Sequence, residues 1–85
     1  MNPYSIILRP FVTEKSLFAI EKDNKITFIV KRNATKLEIK EAFEKMFNMK
    51  IIKINTMITR NGKKAIITLA PEHNAGELAT RLGIF

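Results

Sequence analysis

Asn61-Gly62 lies between two runs rich in β-branched residues, Ile51 to Thr59 and Lys64 to Ala70. In that setting Asn-Gly is a strong signal for a β-hairpin, because both residues tolerate the positive φ of a two-residue type I′ turn. Such a turn predicts the pairing. Arg60 faces Lys63, Thr59 faces Lys64, Ile58 faces Ala65, Thr56 faces Ile67 and Ile54 faces Leu69. Opposed residues share a face. One face then holds Ile52, Ile54, Thr56, Ile58, Ala65, Ile67 and Leu69. The other holds Lys53, Asn55, Met57, Thr59, Lys64, Ile66 and Thr68. A hairpin with one apolar and one polar face belongs to a sheet with one side in a core and one in water.

The rest of the chain supplies the cover. Tyr4 to Leu8 reads as an edge strand that Arg9-Pro10 ends, because proline cannot continue a ladder. Thr13 is an N-cap, with Val12 and Leu17 at the two positions of a hydrophobic staple. That helix runs to about Lys22, and Asp23-Asn24 makes a turn. From Lys25 to Lys31, Ile26, Phe28 and Val30 point one way and Thr27, Ile29 and Lys31 the other. Thr35 and Glu38 form a capping box for a helix with the apolar stripe Ile39, Ala42, Phe43, Met46 and Phe47. Glu41 and Lys45 are spaced as an i,i+4 ion pair, and Asn48 ends the helix. Pro71 closes the last strand. Asn74 and Glu77 suggest a second capping box, Leu78 and Leu82 a short stripe, and Gly83 a C′ residue with Ile84 as its apolar contact. The order β-α-β-α-β-β-α predicts an α+β fold with the helices packed mainly on one face of the sheet.

Eighty-five residues allow one domain, 1–85, with one core. The apolar fraction, 46%, is enough to fold, while 15 Lys and Arg against 8 Asp and Glu leave a net charge of +7. A folded basic domain this small points to a polyanion partner, nucleic acid first. Without cysteine, disulfides and Cys-based zinc sites are excluded. Ile6-Ile7-Leu8 is too short for a signal peptide, and no apolar run approaches the roughly 20 residues of a membrane span. The expectation is a cytosolic protein with no membrane insertion.

Four groups of residues carry the expected chemistry, each with a second explanation. Arg60, Lys63 and Lys64 cluster at the hairpin tip with Lys53 lower on the ladder; they suit phosphate contact, or edge protection against aggregation. Lys53, Asn55, Thr59, Lys64 and Thr68 make the polar face, fit for phosphate, sugar or 2′-hydroxyl contacts, or simply solvated. That face has no aromatic on the hairpin, and Phe28 is on the apolar side. Recognition through backbone and shape therefore fits better than base stacking. Arg9 and Lys15 flank the first helix start, and Lys31, Arg32 and Lys36 surround the turn into the second; helix amides at both turns suit anions, while ordinary surface charge is the better explanation of the first and an equal one for the second. Catalysis has little support. His73 stands alone in a loop, the carboxylates have capping or pairing roles, and P-loop, dinucleotide and nucleophile motifs are missing. A small phosphate-handling enzyme would need a glycine-rich cradle, for which only Asn61-Gly62 and Gly76 are available.

Pro10 to Ser16 (PFVTEKS), Asn33 to Phe47 (NATKLEIKEAFEKMF), Ile54 to Met57 (INTM) and Lys63 to Leu69 (KKAIITL) occur in this order and spacing. Together they resemble the universal family of large-subunit ribosomal proteins numbered twenty-three. The ending Leu82-Gly83-Ile84-Phe85 resembles its archaeal branch. The resemblance covers nearly the whole chain from about Tyr4. It implies a four-stranded antiparallel sheet, binding to large-subunit ribosomal RNA beside neighbouring ribosomal proteins, and a place on the rim of the polypeptide exit tunnel. In bacterial relatives the Glu of the Val-Ser/Thr-Glu-Lys motif helps hold a ribosome-bound chaperone; the matching residue is Glu14. For an archaeal-type protein the resemblance implies the signal recognition particle or a nascent-chain-associated complex there. The long basic loop of bacterial members is reduced to Asn61-Gly62, so a tunnel-sensing role does not carry over.

The expected RNA contacts are Arg9, Lys15, Arg32, Lys36, Lys53, Asn55, Arg60, Lys63 and Lys64, with Glu14 and Ser16 for factor docking. No cofactor, metal or small-molecule substrate is expected. The rival reading is a basic protein-docking module whose charge maintains solubility.

Overall fold

The computed structural model describes residues 2–85. Strands β1 (Ile7–Pro10), β2 (Lys25–Val30), β3 (Ile51–Thr59) and β4 (Gly62–Leu69) form one antiparallel sheet in the order β1-β2-β4-β3. Helices α1 (Glu14–Asp23), α2 (Lys36–Phe47) and α3 (Ala75–Arg81) follow β1, β2 and β4. The α+β class and the element order agree with the sequence.

Local rules account for most boundaries. Thr13 caps α1 and Thr35 caps α2, each in a reciprocal capping box. Asn24 and Asn48 end these helices in the left-handed region, at φ 56° and 54°, which asparagine tolerates. Gly83, at φ +77°, closes α3; its N–H bonds Thr80 O and the Ile84 N–H bonds Ala79 O.

Several expectations need correction. Tyr4 is not in a strand. Asn2 caps a 3₁₀ turn at Pro3–Ser5, and β1 starts only at Ile7. Val12 stays exposed, so of the expected staple only Leu17 turns inward. The hairpin turns at Arg60-Asn61, not Asn61-Gly62: Thr59 pairs with Gly62, Ile58 with Lys63, Thr56 with Ala65 and Ile54 with Ile67. Neither Arg60 nor Asn61 has a positive φ; Gly62 alone does, at +113°. A turn followed by a left-handed glycine replaces the type I′ turn. The Thr59 hydroxyl secures it, accepting from Asn61 N–H (3.2 Å) and donating to Gly62 O (2.9 Å). The register moves by two, so each residue keeps its expected face. A bulge between Ile51 and Lys53 breaks that rule at one point: Ile51 turns to the core and Ile52 is exposed.

One core lies between the sheet and α2 and α3. Ile26, Phe28, Val30, Ala65, Ile67 and Leu69 face Ile39, Ala42, Phe43, Ala75, Leu78 and Ala79. Phe28 meets Phe43 edge-on and stacks on Phe47, both with centroids 5.9 Å apart. The first helix departs from the one-face expectation. Leu17 and Ile20 reach the shared core, while Thr13, Ser16, Ala19 and Asp23 border a groove over the opposite face of the sheet. Asn24 ties the end of α1 to the start of α3: its side chain accepts from Ala75 N–H (2.7 Å) and donates to His73 O (3.0 Å).

Candidate nucleic-acid interface

The face of the sheet away from α2 and α3 is built in rows across the strands. One row is Arg9, Ile29, Lys64 and Met57; the next is Thr27, Ile66 and Asn55; the third is Lys25, Thr68 and Lys53. Strand alternation and the pairing register put these side chains on one side. Lys15 joins them from α1, lining the groove with Phe11, Thr27, Asn55, Met57, Lys64 and Ile66. Arg9, Lys15, Lys53, Asn55 and Lys64, named from sequence, thus surround one surface.

Two participants were missed. Lys25 opens β2 and shares its face with Thr27, a parity the sequence alternation already contained. Phe11 lies in the groove with the Lys64 ammonium 4.8 Å from its ring centroid. It follows Pro10, outside any periodic run, and no local pattern marks it.

The other named residues lie elsewhere. Arg32 and Lys36 are exposed at the turn into α2, and Arg60 is exposed at the hairpin tip. Lys63 does not join Arg60 and Lys64. It is half-buried on the covered side, where its ammonium donates to Ala34 O at 2.6 Å. The tip cluster is therefore split by strand alternation, with Lys63 holding the loop before α2 and Lys64 facing the groove.

Electrostatically the cations stand alone. Among the described residues no Lys or Arg lies within ion-pair distance of an Asp or Glu; the one pair found is His73 with Glu72, at 3.8 Å. The expected Glu41–Lys45 pair is not formed. Glu38 has its carboxyl held below the ordinary glutamate range, first by the Thr35 backbone and side-chain hydrogen bonds and then by the charges of Lys31 and Lys63.

Comparison with known proteins identifies the family of the chain. The family model described as "Ribosomal protein L23" matches residues 5–67. The chain is similar to the "Large ribosomal subunit protein uL23" of Picrophilus torridus, at 54% identity over 79 residues covering 93% of this chain and 96% of the relative. It is also similar to proteins of that name from Methanothermobacter thermautotrophicus (44%) and Methanobrevibacter smithii (49%), each covered completely along with this chain. The chain belongs to the ribosomal protein L23 family. Its similarity is to the archaeal type.

In this member of the L23 family the Val-Thr-Glu-Lys motif forms the start of α1. Glu14 is exposed there. Ser16 is only 9% exposed. Its hydroxyl accepts from Thr13 N–H at 2.8 Å, with the Phe11 and Thr13 carbonyls both at 3.0 Å. The cap consumes Ser16, so of the two residues named for docking only Glu14 presents its side chain.

Proposed function

We propose that this chain is a non-catalytic structural protein of the large ribosomal subunit, in the cytoplasm, and that its single domain binds large-subunit ribosomal RNA near the polypeptide exit. The RNA lies on the open face and over the groove beside α1. Arg9, Lys15, Lys25, Lys53 and Lys64 neutralise phosphates, and Asn55 bonds to phosphate or sugar. Arg32, Lys36 and Arg60 extend the contact around the margins. Lys63 supports the fold rather than the RNA. Neighbouring ribosomal proteins share the site. Glu14, exposed in the first turn of α1, is the docking point for a nascent-chain factor such as the signal recognition particle or a nascent-chain-associated complex.

The observation that carries this reading is the set of rows itself. They hold Arg9, Lys25, Lys53 and Lys64 without a carboxylate. Family membership and the relatives' printed name support the ribosomal assignment. If about five phosphates are neutralised, log K against log salt has a slope of roughly −3.5 to −4.5. Fluorescence anisotropy with an exit-region fragment of large-subunit RNA measures it, and a slope near zero rejects the proposal.

A further inference from the structure

The sheet has two outer strands, and they are protected unequally. β1 is four residues long, bulged between Ile7 and Arg9, charged at Arg9 and ended by Pro10. Those are the usual devices that keep an edge from pairing with another chain. β3 is nine residues long, and among the described residues no strand lies on its outer side. Its bulge and its only charge, Lys53, are confined to one end. From Ile54 to Thr59 it carries no charge at all, and Met57 and Ile58 are exposed.

Beside that edge α2 leaves Leu37 64% exposed, close to Ile52 at 63%. Leu37, Ile51, Ile52 and Ile54 line a groove between α2 and β3, with Lys36, Lys40 and Lys53 completing its lining and no carboxylate in it. An apolar floor with a cationic rim beside unpaired backbone differs from the open face, whose rows are mostly polar. RNA offers no N–H and C=O ladder to pair with β3. A second copy of this chain would bring its own Lys36, Lys40 and Lys53 against these, so like charges oppose self-pairing.

We propose that β3 is a docking strand for an extended segment of a protein partner in which apolar and acidic residues alternate. The segment adds a fifth strand outside β3. Its apolar side chains enter the groove against Leu37, Ile52 and Ile54; its carboxylates, which alternate to the other face, meet Lys53, while Lys36 and Lys40 at the groove rim attract the acidic segment at longer range. The groove is on the helix side of the sheet; Lys36 and Lys53 also stand among the proposed RNA contacts, whereas Leu37 and Ile52, which the test alters, do not.

The test uses the whole chain and a fluorescent decapeptide of alternating valine and glutamate. Saturable binding is expected, with slowed hydrogen exchange at β3 amides. A valine–lysine peptide, and a valine–glutamate peptide N-methylated on the pairing edge, should each bind at least ten-fold more weakly. The double variant Leu37→Ser, Ile52→Ser should lose binding to the same extent; both positions are exposed, and a thermal melt checks that the variant folds. Its salt slope on the RNA fragment should match that of the unsubstituted chain, which keeps the outcome separate from the RNA proposal. No saturable binding at millimolar peptide, equal binding of the two charge types, unchanged β3 exchange, or undiminished binding by the variant overturns the proposal. So does self-association that the variant abolishes, which would assign the edge to a homodimer, or RNA binding that the variant abolishes.

Discussion

Phe28 and Ile29 are adjacent in β2, and their side chains meet opposite worlds. Phe28 is packed between Phe43 and Phe47 on the covered face. Ile29 stands in a row with Arg9, Lys64 and Met57 on the open one. The covered face supplies the burial that offsets chain entropy. The open face adds to this only at its centre, where Ile29 and Thr27 are buried, and its charges repel one another until a polyanion arrives. A strongly basic chain of this size can fold because strand alternation and the α2 and α3 stripes concentrate most of its buried apolar groups on one side.

Removing a ring from the covered face is the most damaging test of that contrast. Phe43→Ala should cost about 3–5 kcal/mol, comparable with the whole stability of a small domain. A urea melt should show most of the cooperative transition lost. A midpoint close to that of the unsubstituted chain would mean that the aromatic cluster is not what holds the sheet to α2.

The open face should respond in the opposite way. The triple variant Arg9→Gln, Lys25→Gln, Lys64→Gln should reduce the magnitude of the RNA salt slope by roughly 2–3, at about 0.7–0.9 per lost phosphate contact. Its stability should stay within about 0.5 kcal/mol, as for other surface changes. A large loss of stability with an unchanged slope would reverse the roles of the two faces.

How much of this contrast was legible depends on the range of the interactions. The Thr35–Glu38 box, the Asn48 stop and the Ile26–Phe28–Val30 alternation are set within a few residues, and the sequence shows them directly. The hairpin turn was not fixed, because Asn61-Gly62 suits a type I′ turn and equally a turn that places Gly62 after it. The choice is made by Thr59 and by pairing along the full ladder. The two turns differ by two in register, so the face assignment survived the error. Ile52 did not survive it, because the bulge between Ile51 and Lys53 shifts the alternation by one. The place of α1 was hidden as well. Its inward residues, Leu17 and Ile20, say that it is amphipathic but not that its other flank borders the open face. Hence Phe11 joined the candidate surface only in three dimensions, whereas Lys25 follows from the β2 alternation itself.

Lys63 and Lys64 bring the comparison down to neighbouring residues. Lys63→Met removes the bond to Ala34 O and should cost about 1 kcal/mol, in the range for a hydrogen bond with a charged donor that is only half-buried. It should leave the RNA salt slope nearly unchanged. Lys64→Met should do the reverse, lowering the slope's magnitude by about 0.7–0.9 at little cost in stability. Equal effects of the two changes on RNA binding would show that the tip acts as one cationic cluster in solution, whichever face each lysine occupies.

The smallest expected effect is a pH dependence that belongs to the covered side alone. Glu38 is partly exposed, and its carboxyl is held below the ordinary glutamate value by the Thr35 hydrogen bonds, with Lys31 and Lys63 assisting. A carboxyl with a lowered folded pKa contributes stability that is fully present above its unfolded pKa, about 4.3, and is lost as the pH falls through the lower folded value. The urea midpoint should therefore decline on the acid side of that range, and Glu38→Gln should flatten that part of the decline while keeping an acceptor for the cap. The open-face rows hold no carboxylate, so the same substitution should leave the RNA salt slope where it was. A slope that moves with Glu38→Gln would mean that the Lys31 and Lys63 side of the molecule also meets RNA, and the division between the two faces would have to be redrawn.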